Sequence, residues 1–345
     1  MKKTAPRASR LLTLLLLAAL LAACGEDPVL PPARALAAPA EQIDQLYGVL
    51  PGYHEVVSER GLVLPETEDR RAIELSVFYP AAGKRYPLLI FAHGNWSSKD
   101  DYDRVLEHWV SHGYAVVAPN FLDCCSMASG IFNALRYGQY AMISTRIDAI
   151  NAVLDAMPEI EALSSGFSGK GDLSRLGMTG HSFGAFTAQQ YGGAAAYDED
   201  QGAYVDAFDA RVKAIVGLSP PGPMFDTITA SSWDNLRLPN LHTTGTWDVQ
   251  KGFWDSYEYH LMAFNEGAKG EQTSLVVEGA DHYFGNLICR LEREAEPQRD
   301  ALKLVNGISV AFLDAHLKKS AEARQYLASD TINEVTDRFA ILARR

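Results

Sequence analysis

The chain has 345 residues, 47% of them hydrophobic, and a formal net charge of −12 at pH 7. Its acidity argues against nucleic acid or anionic lipid headgroups as partners, and its apolar content is ample for a sizeable core. No pair among the nine histidines and four cysteines has zinc-ligand spacing, so no metal is expected.

Lys2, Lys3, Arg7 and Arg10 precede the apolar run 11–21 and then Ala22-Ala23-Cys24. A basic start before so short a run reads as an export leader over residues 1–23, not as a fold element. Leu21-Ala22-Ala23-Cys24 resembles the lipobox of bacterial lipoproteins. That resemblance implies lipidation of Cys24 and a membrane anchor in the cell envelope, in the outer membrane of a Gram-negative host because Gly25 follows. An ordinary cleaved signal or an uncleaved anchor is the alternative. Residues 24–41, with Pro28, Pro31, Pro32 and Pro39 and no period, read as a flexible tether. Residues 42–345 show no second composition shift or repeat and are expected to form a single α/β domain.

Along that domain, 71–79, 88–93, 115–119, 175–179, 212–218, 241–246 and 275–278 read as strands, several of them continuous apolar runs suited to a sheet buried on both faces. Between them, Tyr102, Val105, Leu106, Trp109 and Val110 have helical spacing up to Gly113. Ile143, Ile147, Ile150 and Leu154 mark a second helix that stops at Pro158. Two C-terminal helices are expected, one carrying Leu304, Ile308, Phe312 and Leu313, the other Val335, Phe339 and Leu342. Strands alternating with helices imply a mostly parallel sheet of about eight strands with helices on both faces. Ligands of such sheets bind at the carboxyl ends of the strands. The acidic residues around Asp198 and Asp206 lack the ligand spacing of a calcium loop and read as a solvated excursion.

Gly180-His181-Ser182-Phe183-Gly184 fits Gly-x-Ser-x-Gly between a strand and a helix, the arrangement that exposes a serine nucleophile on a sharp turn. A serine hydroxyl needs a general base and a carboxylate to orient that base. His282, directly after the strand 275–278, is the candidate base. His242 and His316 have apolar neighbours and read as packing residues; His54, His108, His112 and His260 read as surface or helix positions. Asp248, closing the strand before His282, is the candidate acid, and Asp226, beyond Pro220-Pro221-Gly222-Pro223, is the alternative. Asp281 reads as a loop cap. The developing oxyanion needs two donors; the backbone N–H groups of Phe183 and of Asn95, in the turn His93-Gly94-Asn95-Trp96, are the candidates. Trp96, Trp247, Tyr283 and Phe284 adjoin these positions and are candidate pocket residues. With Cys24 assigned to lipid, Cys124, Cys125 and Cys289 remain, and an oxidising compartment favours a disulfide from Cys289 to one of the vicinal pair.

Ile90-Phe91-Ala92-His93-Gly94, Arg146-Ile147-Asp148, the serine pentapeptide, Gly245-Thr246-Trp247-Asp248 and Asp281-His282 together resemble the α/β-hydrolase superfamily. Within it they look like dienelactone-hydrolase-like and platelet-activating-factor-acetylhydrolase-like serine esterases, over about residues 70 to 320. The resemblance implies hydrolysis of carboxylic esters through an acyl-enzyme, without a cofactor. Polyester hydrolases are similar in the same regions, but Pro220-Pro221 and Ala185-Phe186 depart from them. A peptidase or thioesterase would use the same triad, and a catalytically silent binding lipoprotein is the reading from another class.

Overall fold

The structure, a computed structural model, describes residues 29–345 except 199–201, 225, 226, 251, 271 and the side chain of 139. The leader, Cys24 and Asp226 lie outside the described residues. The strands in chain order are β1 (Val56–Leu64), β2 (Ile73–Pro80), β3 (Tyr86–Ala92), β4 (Ala115–Pro119), β5 (Gly171–His181), a small hairpin β6 (Ala196–Asp198) and β7 (Ala203–Val205), then β8 (Val212–Leu218), β9 (Asn240–Gly245), β10 (Gln272–Val277) and β11 (Ala340–Arg344).

Nine of them form one sheet in the order β1-β2-β4-β3-β5-β8-β9-β10-β11. The six from β4 to β10 are parallel, and β1, β2 and β11 run antiparallel to their neighbours. Successive residues of β3 serve opposite faces, as the period of two requires. Leu89 and Phe91 join Val105, Trp109, Leu304 and Ile308 from the helices Asp103–Ser111 and Arg299–Leu317. Leu88 and Ile90 join Ile143, Ile150 and Phe186 from the helices Gln139–Asp155 and Phe183–Gln190 on the other face.

Besides the small hairpin β6–β7, two strands of the main sheet escape the pattern read from sequence. β1 alternates poorly because its register with β2 shifts between Glu59 and Leu62, at Gly61. β11 replaces the second C-terminal helix expected around Val335, Phe339 and Leu342: a short helix ends at Val335, Asp337 and Arg338 take positive φ (48° and 60°), and the chain then pairs along β10. At Pro158 the long helix ends as expected, at Asp155, but the proline then lies in the first turn of a further helix, Met157–Leu163, where its missing N–H costs nothing. Part of the stretch expected as a tether is laid against the domain. Trp247 Nε1 donates to the Pro31 carbonyl at 2.7 Å, and Arg34 pairs with Glu278 at 2.9 Å.

Chain order and spatial order part company at β3. The chain moves outward to β4 and then returns to place β5 on the other side of β3. The loops leaving the carboxyl ends of β3 and β5 therefore diverge from a common point, which is where open α/β sheets bind ligands.

Candidate active site

Ser182 sits at that point, one residue past β5, with φ 53° and ψ −125°. This is backbone that L-residues rarely adopt, at a cost of about 1–3 kcal/mol, and the surroundings leave no alternative. A Cβ on Gly180 would lie 2.3 Å from the Gly184 carbonyl oxygen, and one on Gly184 2.0 Å from the Ala92 carbonyl oxygen. The two glycines thus let β3, β5 and the following helix meet at backbone contact. Ser182 N–H donates to the Leu218 carbonyl at 2.9 Å, and its carbonyl receives Ala185 N–H at 2.8 Å. The hydroxyl is left free of the helix cap.

Asp248 and His282 reach the same end of the sheet from the loops after β9 and β10. Asp248 is fully buried, and His282 is 3% exposed. The Nδ1–H of His282 donates to Asp248 Oδ1 at 2.7 Å, while the Thr244 hydroxyl donates to Oδ2 at 2.8 Å. Burial pushes the Asp248 carboxyl up, but His260 and then His282 outweigh it and hold the carboxyl well below its ordinary range. Asp281 faces away as a loop cap: its Oδ1 accepts the N–H groups of Tyr283 and Gly285, and its Oδ2 pairs with Arg293 at 3.0 Å.

His181, the second residue of the pentapeptide, ties these loops together. Gly94 N–H donates to the Tyr102 hydroxyl at 2.9 Å, Tyr102 donates to His181 Nδ1 at 3.0 Å, and His181 Nε2–H donates to the His282 carbonyl at 2.9 Å. This chain of bonds needs a neutral ring with one donor and one acceptor. Burial first, and His282 second, hold His181 well below the usual histidine range.

The turn after β3 is held by two guanidinium groups. Arg290 donates to the carbonyls of Asn95 and Trp96, both at 3.1 Å. Arg146, fully buried, donates to the His93 carbonyl at 2.8 Å and pairs with buried Asp123 at 2.6 Å. Burial pushes the Asp123 carboxyl up, and Arg146 more than reverses this. Among the described residues, neither Asn95 N–H nor Phe183 N–H meets a hydrogen-bond acceptor; Phe183 is the first residue of its helix, where such donors are left over. Asp123→Asn strands the Arg146 charge and is expected to cost about 3–5 kcal/mol in urea denaturation. Because Asp123 is depressed in the fold, its contribution is complete above the unfolded carboxyl value of about 4 and fades only as pH falls below it. The loss should therefore be the same at pH 6 and pH 8, and a variant within about 1 kcal/mol of wild type would refute the assignment.

A cleft of about 140 Å³ joins these parts, lined by Ser182, His282, Asn95 and Arg290 and by apolar Trp96, Met127, Phe183, Met224, Phe253, Trp254 and Tyr283, with Gln250 and Cys289. Trp96 and Tyr283 thus line the cleft. Trp247 and Phe284 do not: the Trp247 indole turns outward to Pro31, and Phe284, 2% exposed, packs in the core. Cys124 and Cys125 are joined to each other rather than to Cys289, a buried thiol that burial raises above its ordinary value.

The largest departure concerns His260, which reads as a surface or helix position in the sequence and is fully buried, its Nε2 3.0 Å from Asp248 Oδ1. Ligand atoms of Asp248, His260 and His282 all lie within 4.8 Å of one another. Tetrahedral zinc with bonds of about 2.0 Å would hold its ligand atoms roughly 3.3 Å apart. The separations from the two rings to one oxygen, 2.7 Å along a hydrogen bond from His282 and 3.0 Å from His260, are both shorter than that spacing.

Two comparisons bear on this arrangement. A family model described as Chlorophyllase matches residues 57–197, a stretch that includes the turn after β3 and the Ser182 elbow and ends before Asp248 and His282. Chlorophyllase type 0 of Chenopodium album is 26% identical over 174 residues, 49% of this chain and 42% of that protein. The chain thus spans less than half the length of the curated relative it matches. The mostly parallel nine-stranded sheet flanked by helices is an α/β-hydrolase fold, and over part of its length the chain is similar to chlorophyllases.

Proposed function

We propose that this protein is a serine hydrolase that cleaves carboxylic esters through an acyl-enzyme. The observation that carries the reading is the His282–Asp248 hydrogen bond of 2.7 Å facing a cleft that Ser182 lines from a strained elbow. With Nδ1–H committed to Asp248, His282 keeps the Nε2 lone pair for the Ser182 proton. Oγ then bonds to the ester carbonyl carbon, and the resulting oxyanion is received by the N–H groups of Phe183 and Asn95. Collapse breaks the bond to the alkoxide, which takes the proton from His282. Water attacks the acyl-enzyme by the same route in reverse and frees Ser182. These steps use only the chain's own groups and water, with no cofactor.

Both matches bear the name chlorophyllase, which favours an ester with a substantial apolar portion. The apolar cleft wall fits this, and about 140 Å³ is well below the roughly 300–1,000 Å³ of a drug-sized pocket, so the cleft proper takes a short acyl group. The leader and Cys24 point to work outside the cytoplasm, on a lipid anchor in the cell envelope. Rates across p-nitrophenyl acetate, butyrate, octanoate and laurate test the reading. The expected profile favours the two short esters by roughly tenfold or more over laurate. No turnover of any ester would remove the hydrolase reading, and a preference for laurate would remove the short-acyl one.

A further inference from the structure

His260 has both ring nitrogens facing acceptors. Its Nδ1 lies 2.8 Å from the Pro220 carbonyl oxygen, and its Nε2 lies 3.0 Å from Asp248 Oδ1, a charge contact outside hydrogen-bond geometry. A carbonyl oxygen cannot donate, so Nδ1 carries a proton. The Asp248 carboxylate already receives His282 Nδ1–H on Oδ1 and the Thr244 hydroxyl on Oδ2, so it is ionised, and its negative charge 3.0 Å away favours a proton on Nε2. A neutral ring would set a lone pair against that carboxylate in a site sealed from water. We propose that His260 is a resident imidazolium, a positioning residue that shares the Asp248 carboxylate with His282 and keeps the site active to lower pH than an unshared carboxylate would allow.

The local chain is built to hold the ring. Ser219, just past the end of β8, has φ 46°, and the backbone carbonyl of Pro220 that follows it accepts from His260 Nδ1–H. The 3-10 helix Tyr257–Leu261, capped by Ser256, presents His260. Trp254 meets the ring edge-on at 5.0 Å, and a Cβ on Gly222 would fall 2.7 Å from Tyr259 Cβ. The titratable groups facing His260 are Asp248 from the loop after β9 and His282 from the loop after β10, with ring centroids 5.5 Å apart. His181, at the end of β5, has its ring 4.7 Å from that of His282 and tilted by 52° to it, and is neutral. Burial disfavours a charge on His260, but Asp248 outweighs it and raises the ring above the ordinary histidine value.

Physically, the imidazolium takes up part of the negative charge that would otherwise retain a proton on the base. Removing it lets that proton stay to higher pH, so the acid limb of activity moves up. The rate arm rests on the ester-hydrolase reading; a nuclear magnetic resonance arm does not. In full-length protein with 15N-labelled histidine, assigned by loss of the signal in His260→Gln, His260 should show both ring nitrogens protonated at about pH 8. The glutamine amide introduced by this substitution can still donate to Asp248, but without charge. That variant should raise the acid limb of kcat/KM for p-nitrophenyl butyrate by roughly one pH unit and stay within about tenfold of wild type on the alkaline plateau. A singly protonated His260 at about pH 7, or a variant whose loss is equal at every pH, would overturn the proposal. If no ester is turned over, the ring protonation alone decides it. If His260→Gln fails to fold, His260→Asn, read in the same two ways, replaces it.

Discussion

Ser182→Ala is expected to lower kcat by about 10⁵–10⁶-fold while leaving the protein folded. The side chain supplies the attacking oxygen and little else: its hydroxyl makes no cap to the following helix, and the bonds that fix the turn are backbone ones, to Leu218 and from Ala185. Alanine meets the same strain at φ 53° as serine does, so thermal unfolding should change by less than about 1 kcal/mol. Residual activity above water would remain from the Phe183 and Asn95 donors and from binding. A variant that keeps a tenth of the wild-type rate would place the nucleophile elsewhere, whatever its stability.

Asp248→Asn is expected to lower kcat by about 10⁴-fold. The amide that replaces Oδ1 or Oδ2 brings N–H donors into a site where His282 and Thr244 both donate and the His260 Nε2 lies 3.0 Å away. One donor must then turn away, and the histidine that turns is left in the wrong tautomer or without its proton. Part of the loss should therefore appear as lowered stability, since His260 would lose its counter-charge in the interior. Asp226→Asn is the matched control, because Asp226 is the alternative acid in the sequence and lies beyond Pro220-Pro221-Gly222-Pro223. Its kcat should stay within about threefold of wild type. A large fall at Asp226 with a small one at Asp248 would reverse the assignment.

The two departures among the strands have different causes. Parallel strands such as β4 and β8 are legible to the residue because both faces are buried and the run is apolar but for Lys213, exposed near the start of β8. β1 and β11 sit at the two edges of the sheet, where one side is half exposed and the two-residue period blurs. In β11 the spacing of Val335, Phe339 and Leu342 imitates a helix, although the residues belong to a short helix, a left-handed turn and a strand in succession.

The site shows the same division. Gly180, Ser182 and Gly184 are legible because the strand-to-helix turn is local and its steric demand is written in five consecutive residues. Trp247 and Phe284 adjoin Asp248 and His282 in sequence, yet in tight turns neighbouring side chains point in opposite directions, so they face Pro31 and the core instead of the cleft. His260 carried no local signal. Its partners come from the ends of β8 and β9, and only the closure of the sheet brings Pro220 and Asp248 to either side of it. The cleft residues Met127, Met224, Phe253 and Trp254 are likewise set by loops converging from separate parts of the chain.

The most direct test of Ser182 as an activated nucleophile is mass spectrometry after treatment of the folded protein with an alkyl fluorophosphonate, in parallel with p-nitrophenyl butyrate turnover. The account predicts one adduct per chain, located on the peptide that contains Ser182, with ester turnover lost in proportion to labelling and no adduct on Ser182→Ala. Absence of the adduct from folded protein that turns the ester over, or an adduct that persists in Ser182→Ala, would contradict it.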